Sequence, residues 1–555
     1  MIEPLHIVAG LGMIGFLVLI HEAGHFIVAK MFGVGVPVFS IGMGPRIFGF
    51  AYKGTDYRIS AIPVGGYVML AGADPYGEED VHASVAPEED FMKKPVWQRL
   101  LVMAAGPGVN ILLPILLFTA VLMGGEPSSA AVVGTVLPGS PAEDAGLTAG
   151  DTVTAIDGEP VLLWMDVVEG LERHKGDAGD VVLSIQRAGE AVTLEIPRSE
   201  LRENMRGGLD TDALGVSYYR VSPRVGVGDP GSPAHRAGLL TGDAIVSVDG
   251  ESVDDWGSLQ GLLSGDAPHE LVVSRGGPAV GEDGEPVEIT LTLPPVSDWN
   301  APADEAWTDA YGMAPALLFA FDVQDGGPAA RAGVVRGDRF LTVDGHRVRS
   351  FSHFIELVGD TVDGRDNPRP LELVVLRDGE RSTMTMTPRV ELVPSEVYVR
   401  PIIGVQTFGG TLMSGPQAVK YYSVIEAVPR ALNETWMLLE MTVATIGNMF
   451  AGRADPADNL GGPVAMFSMA GTVAEYGLFT FVRWTGMFSI SVGVINLLPV
   501  PVLDGGQILF YLAEAIRGRP LPLELRERLQ MGGVMLMLAL MLFVTINDIS
   551  RIWAG

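Results

Sequence analysis

Cysteine is absent from all 555 residues, which excludes disulfide staples, thiol nucleophiles and Cys-ligated zinc. Positive charge is scarce too: 37 Lys and Arg stand against 67 Asp and Glu, a formal net charge of −30. So acidic a chain does not suit nucleic acid, whose binding neutralises phosphates with Lys and Arg. The deficit is regional, since residues 126–400 hold 46 Asp and Glu but 21 Lys and Arg. Charges of either sign are sparse in four apolar stretches, roughly Leu5–Ala29, Leu100–Met123, Phe479–Leu503 and Met531–Ile552. Each is long enough to cross a bilayer. The pattern predicts membrane-embedded ends around an acidic, soluble middle.

The first stretch has no Lys or Arg before Lys30 and is interrupted by His21, Glu22 and His25, so it reads as a retained span and not a cleaved signal. A further segment, Trp436–Phe450, carries Glu440 and reads as an amphipathic helix lying on the membrane. Lys and Arg collect in Lys30–Arg99 and in Arg517–Arg528, and are missing from residues 1–29 and 100–172. Because cytoplasmic loops carry the positive charge, both termini and the acidic middle are expected outside the cytoplasm. Spans one and three then end at one cytoplasmic face.

The middle repeats itself: SPAEDAGLTAGDTVTAIDG at 140–158, SPAHRAGLLTGDAIVSVDG at 232–250 and GPAARAGVVRGDRFLTVDG at 327–345. Each copy reads as a short helix closed by glycine, a Gly-Asp turn, and a strand ending in Asp-Gly. With Pro141, Gly146, Gly150, Asp151, Asp157 and Gly158 in the first copy, the pattern resembles the PDZ domain of bacterial membrane proteases. That resemblance implies binding of an extended peptide or C-terminus by strand addition. The alternative is a set of spacers that bind nothing.

At the end of span one stands His21-Glu22-Ala23-Gly24-His25. Two histidines four apart share a helix face and can hold one zinc ion, and the Glu between them can take a proton from water. Ionisable residues in an apolar helix point to function, although a solvated helix end is the plain alternative. A catalytic zinc needs a third protein ligand. Asp504, in Asn496-Leu-Leu-Pro499-Val-Pro501-Val-Leu-Asp504-Gly-Gly, is expected at the same membrane face and offers a carboxylate. Pro499 and Pro501 break the helix there and imply a wet pocket.

HEAGH, GPGVN at Gly106–Asn110 and NLLPVPVLDGG together resemble the site-2 protease family of intramembrane zinc metalloproteases, within it the bacterial regulator of sigma-E protease group. GMGP at Gly42–Pro45, YRISAIPVGGYVML at Tyr57–Leu70 and Gly461-Gly462-Pro463-Val464 extend the likeness over nearly the whole chain; three PDZ-like copies exceed the family's usual one or two. The resemblance implies Zn2+ held by His21, His25 and Asp504, Glu22 as general base, and Asn496 holding the substrate backbone beside Pro499 and Pro501. Asn110 matches a family position without an assigned role. It also implies a membrane re-entrant β-hairpin. Val36–Phe39 and Tyr57–Ala61, whose alternating β-branched and aromatic positions include Val38, Tyr57 and Ile59, would offer a strand edge to an unwound substrate, with a plain cytoplasmic hairpin as the alternative. Expected partners are single-span membrane proteins, such as an anti-sigma factor already trimmed at its ectodomain, together with the lipid bilayer.

The expected fold is thus a polytopic α-helical membrane protein with inserted tandem mixed α/β PDZ-like domains. Its expected parts are residues 1–125 and 478–555 in the membrane, PDZ-like copies at 126–215, 216–300 and 301–398, and an amphipathic-helix region at 399–477. Two other functions remain open on sequence: a non-proteolytic PDZ scaffold or sensor, against which the intact His-Glu-His-Asp set argues, and a zinc transporter. Spans two and four lack acidic residues and His in their apolar cores, which argues against an ion path.

Overall fold

The computed structural model describes residues 4–72, 86, 88–137, 139–174, 179–203, 209–263, 266–276, 285–299, 311–359, 361, 368–392, 399–408, 412–451 and 462–554. It divides into two compact units, one built from the chain through Glu126 and from Tyr421 onward, the other from Pro127–Glu391 and Val399–Lys420.

Among the described residues the first unit holds seven long helices: α1 (Pro4–Met31), α2 (Val96–Gly124), α3 (Val424–Phe450), α4 (Pro463–Glu475), α5 (Leu478–Asn496), α6 (Asp504–Arg517) and α7 (Leu523–Ala554). Four are long and apolar enough to cross a membrane: α1, α2, α5 and Leu523–Asp548 of α7. The third span stops at Asn496, earlier than the apolar run suggests, because residues 497–503 form tight turns around Pro499 and Pro501. The expected amphipathic segment is the C-terminal half of α3, which starts with a Ser423/Glu426 capping box and buries Ala427, Ala431 and Thr435 along one face. Arg483, near the start of α5, bridges Glu126 just past α2, at 2.7 Å, and Glu434 within α3. Asp548 of α7, 3 % exposed, accepts from the backbone N–H groups of Gly462 and Ala465 and so caps α4. Gly462 belongs to the Gly-Gly-Pro-Val motif; Gly461 lies outside the described residues.

Between α1 and α2 lies a hairpin of β1 (Val38–Tyr52) and β2 (Thr55–Met69). Both strands fold back, so Ser40 faces Tyr67 on one side and Arg58 on the other, while Arg58 also faces Gly49. Val38, Tyr57 and Ile59 therefore sit on inner segments, contrary to the expected free edge. Val38 is opposite both Met69 and Asp56, Tyr57 is opposite Phe39 and Phe50, and Ile59 is opposite Ile41 and Phe48. The reason is register: glycines and bulges between Ile41 and Phe48 turn β1 back along β2. The outer segments are 46–52 and 62–69.

The second unit contains the three repeats. Each makes a four-stranded sheet: residues 159–160, 152–156, 180–187 and 190–197 in the first, 251–252, 244–248, 269–275 and 287–293 in the second, 346–347, 339–343, 371–377 and 380–386 in the third. The repeated Gly-Asp has a physical role. Asp151, Asp243 and Asp338, at most 2 % exposed, pair with Arg187, Arg275 and Arg377 at 2.6–2.7 Å. Each arginine also donates to the carbonyl of the helix-closing glycine, Gly146, Gly238 or Gly333. The Asp of each Asp-Gly pair takes a positive φ of 47–49° at Asp157, Asp249 and Asp344, a conformation Asp tolerates in turns.

The domain limits expected from sequence shift C-terminally. Each copy is closed by a strand lying beyond its own sheet: Val216–Ser217 pairs with Thr135–Val136, Met313–Pro315 with Val225–Val227, and Val405–Thr407 with Ala320–Val323. Residues 399–420 thus continue the repeats, and Gln417–Val419 returns to pair with Pro127–Ser129.

Candidate metal centre

His21 and His25 lie one turn apart on the buried face of α1, 8 % and 6 % exposed. Asp504 is the first residue of α6. The turns at 497–503 bring it back: a Cβ on Gly505 would lie 2.2 Å from the Leu497 carbonyl oxygen, and one on Gly506 2.2 Å from that of Val500. Only glycines let α6 start against that turn, which accounts for the two that follow Asp504. The three donors then converge. Nε2 of His21 is 3.0 Å from Oδ2 of Asp504, Nε2 of His25 is 3.4 Å from the same oxygen, and the two Nε2 atoms are 3.2 Å apart. A tetrahedral zinc with ligands at 2.0–2.2 Å requires ligand–ligand edges of about 3.3 Å, so the triangle fits that ion. The tautomer of His25 fits too, since its Nδ1 donates to the Val102 carbonyl at 2.7 Å and leaves the Nε2 lone pair toward the centre.

Helix α2 supplies no ligand but shapes the space. A Cβ on Gly106 would stand 2.3 Å from Nε2 of His25 and 2.8 Å from Nε2 of His21; one on Gly24 would stand 2.6 Å from the Ala105 carbonyl oxygen. The GPGVN and HEAGH glycines therefore allow α1 and α2 to close around the imidazoles. Asn110, quoted from sequence without a role, is fully buried with its amide 3.2 Å from Nδ1 of His21. Val102 and Ser489, whose hydroxyl donates to the Asn110 carbonyl, lie in no motif, and the only sequence signal for Val102 is its place one turn before Gly106.

Glu22 is half-buried beside β2, where a Cβ on Gly66 would lie 3.3 Å from its Cγ. Asn496 ends α5, and Pro499 and Pro501 occupy the following turns, the Pro501 carbonyl accepting from Gln507. Tyr57 packs against Phe26 and stacks on Phe50 at 5.3 Å; Ile59 is 50 % exposed and Val38 is buried.

Residues 9–540 match the family model of peptidase family M50. The chain belongs to that family. The regulator of sigma-E protease RseP of Escherichia coli K12 is 27 % identical over 545 residues, covering 97 % of each chain. Protease RseP of Yersinia pestis and the regulator of sigma E protease of Salmonella typhimurium LT2 are each 27 % identical over 544 residues, again with 97 % of each chain covered. A PDZ domain protein from Parabacteroides distasonis superposes on 52 % of the chain with a TM-score of 0.12 and 11 % identity, too loosely to bear on the repeats. The protein is a membrane-embedded zinc metalloprotease, and its family acts on membrane-protein substrates.

Proposed function

We propose that the chain hydrolyses peptide bonds of single-span membrane proteins at the His21–His25–Asp504 centre, with Glu22 as general base. The observation that carries this is the convergence of three donors from α1 and α6 at tetrahedral-edge distances, beside a glutamate on the same helix. Zinc, when bound, supplies Lewis acidity toward a carbonyl oxygen and makes water acidic enough to attack near neutral pH. Glu22 takes the proton of the attacking water and returns it to the leaving amine. Asn496 steadies the substrate backbone from the end of α5, with Pro499 and Pro501 keeping that end unwound.

A substrate helix must lose its internal hydrogen bonds before its carbonyls can react. The outer segment 62–69 of the hairpin is the better edge for receiving it, because that segment carries Gly66 next to Glu22. Strand addition there replaces the role first expected of Val38, Tyr57 and Ile59.

The distribution of Lys and Arg supports an inner-membrane protein with the centre toward the cytoplasm and the repeats outside it. Labelling of a cysteine placed at Ser199 from outside intact cells tests that orientation. In this arrangement the repeats meet the ectodomain of a substrate first and admit one already shortened, such as a trimmed anti-sigma factor. Co-expression with a panel of single-span proteins, comparing wild type with Glu22→Gln, tests the activity. The variant keeps about one zinc per chain and cleaves nothing; near-wild-type cleavage by it removes Glu22 from the mechanism.

A further inference from the structure

Nδ1 of His21 has a requirement that the arrangement of α2 meets. A neutral imidazole offering its lone pair at Nε2 carries its proton on Nδ1, where it can only donate. The group opposite is the Asn110 carboxamide, 3.2 Å away through its nitrogen, while the Asn110 Oδ1 atom is buried without a partner. The two ends of a carboxamide have the same shape, and the hydrogen-bond network decides which end faces a neighbour. Turned through 180°, the amide places its orphaned oxygen on the His21 proton. A donor no longer faces a donor, and the buried acceptor gains its donor.

We infer that Asn110 is a positioning residue for the metal: its carboxamide oxygen accepts from Nδ1 of His21 and fixes the tautomer that directs Nε2 to the centre. The inference rests on the zinc reading above. His25 is held in the same way by the Val102 carbonyl, so both imidazoles lean on acceptors two turns apart along α2. Asn110 is itself fixed. Pro114 lacks the N–H that would bond the Asn110 carbonyl within the helix, and the Ser489 hydroxyl donates to that carbonyl at 2.7 Å instead. Gly493 lets α5 approach closely, since a Cβ there would lie 3.0 Å from the Pro107 carbonyl oxygen.

The test is zinc affinity of the purified full-length chain, measured by competition with a chromogenic chelator. Asn110→Asp keeps an oxygen acceptor and has no donor, so it binds zinc as tightly as wild type or tighter. Asn110→Leu leaves the His21 proton unpartnered and weakens zinc by about 10–100-fold, the usual loss when a ligand's supporting partner is removed. Equal weakening in both variants, or wild-type affinity in Asn110→Leu, overturns the assignment. Thermal unfolding of the metal-free chains separates misfolding from lost orientation, and where the Leu variant fails to fold, weakened zinc in Asn110→Asp still overturns the assignment. Failure of wild type to bind zinc, or equal binding by a chain lacking His21, His25 and Asp504, overturns the metal reading itself and this inference with it.

Discussion

Among the described residues Arg99 and Glu514 form the most enclosed ion pair of the membrane unit, and its removal has a calculable consequence. The guanidinium of Arg99 meets the Glu514 carboxylate through two bonds of 2.9 and 2.6 Å, donates from Nε to the Lys94 carbonyl, and lies 4.9 Å from the Tyr511 ring centre. The Arg99 side chain is 4 % exposed and that of Glu514 15 %. Replacing one member of such a pair leaves the other charge buried alone, at a cost of about 3–5 kcal/mol. Glu514 lies ten residues after Asp504 on α6, about 15 Å along the axis, so the pair anchors one end of the helix whose other end presents the carboxylate of the proposed centre. Arg99→Met is therefore expected to lower both thermal stability and zinc affinity. The double variant Arg99→Met, Glu514→Leu, which removes both charges, recovers most of the stability. Chemical denaturation of the four chains of the cycle in detergent gives the coupling. A single variant as stable as wild type, or a double variant no better than the single, refutes the reasoning.

Gly106→Ala places a methyl group within 2.3 Å of Nε2 of His25, so the purified variant is expected to lose its zinc by metal analysis while still inserting into membranes. In the repeats, burial pushes the Asp151 carboxyl up, but the bonds from Arg187 and the Thr148 N–H outweigh it and hold the group below its ordinary value. A depressed carboxyl contributes stability above its unfolded value, and that stability is lost as pH falls through the folded one. Near-ultraviolet circular dichroism of the chain is thus expected to report unfolding of the repeats below about pH 4, with a shallower acid limb in Asp151→Asn. Excision of residues 127–420 is expected to leave cleavage of an ectodomain-trimmed substrate intact and to permit cleavage of the untrimmed one. The paired strands at 127–129 and 417–419 put the two ends side by side for a short linker. Loss of both cleavages, with zinc and insertion unchanged, makes the repeats a required docking element instead of a filter.

The features legible in the sequence are those whose physics is local. Four apolar helices follow from composition, and the Gly-Asp and Asp-Gly turns follow from residues that must adopt particular backbone conformations. The pairing of His21 with His25 follows from helical spacing. What escaped reading depends on partners far along the chain. The closing strand of each repeat follows directly on Gly215, Gly312 or Gly404, all with φ of 75–81°. Leu-Gly-Val at 214–216, Tyr-Gly-Met at 311–313 and Ile-Gly-Val at 403–405 are a second repeated signal, too short to stand out beside the longer repeats. The hairpin misled for a related reason. Alternation in Tyr57–Ala61 identifies a strand, yet alternation does not say whether one or both of its edges are paired. Asp548 could be noticed only as an acid in an apolar helix; that it caps α4 depends on a contact 86 residues away.

Helix α2 explains why the proposed centre holds its geometry although two of its donors come from α1 and one from α6. Arg99, Val102, Gly106 and Asn110 recur at intervals of three or four and so share one face. Along that face they fasten α6, orient His25, make room for both imidazoles and meet His21. Further along, Phe118 is fully buried where Gly486 of α5 leaves space for its ring. Glu126, just past the helix end, pairs with Arg483. Each of these contacts is a hydrogen bond, an ion pair or a close approach at glycine, interactions that hold position in an apolar medium where hydrophobic burial between helices supplies little. Three donors split across distant segments can then stay within a few tenths of an ångström of tetrahedral spacing, because one helix that contributes none of them sets the position of all three.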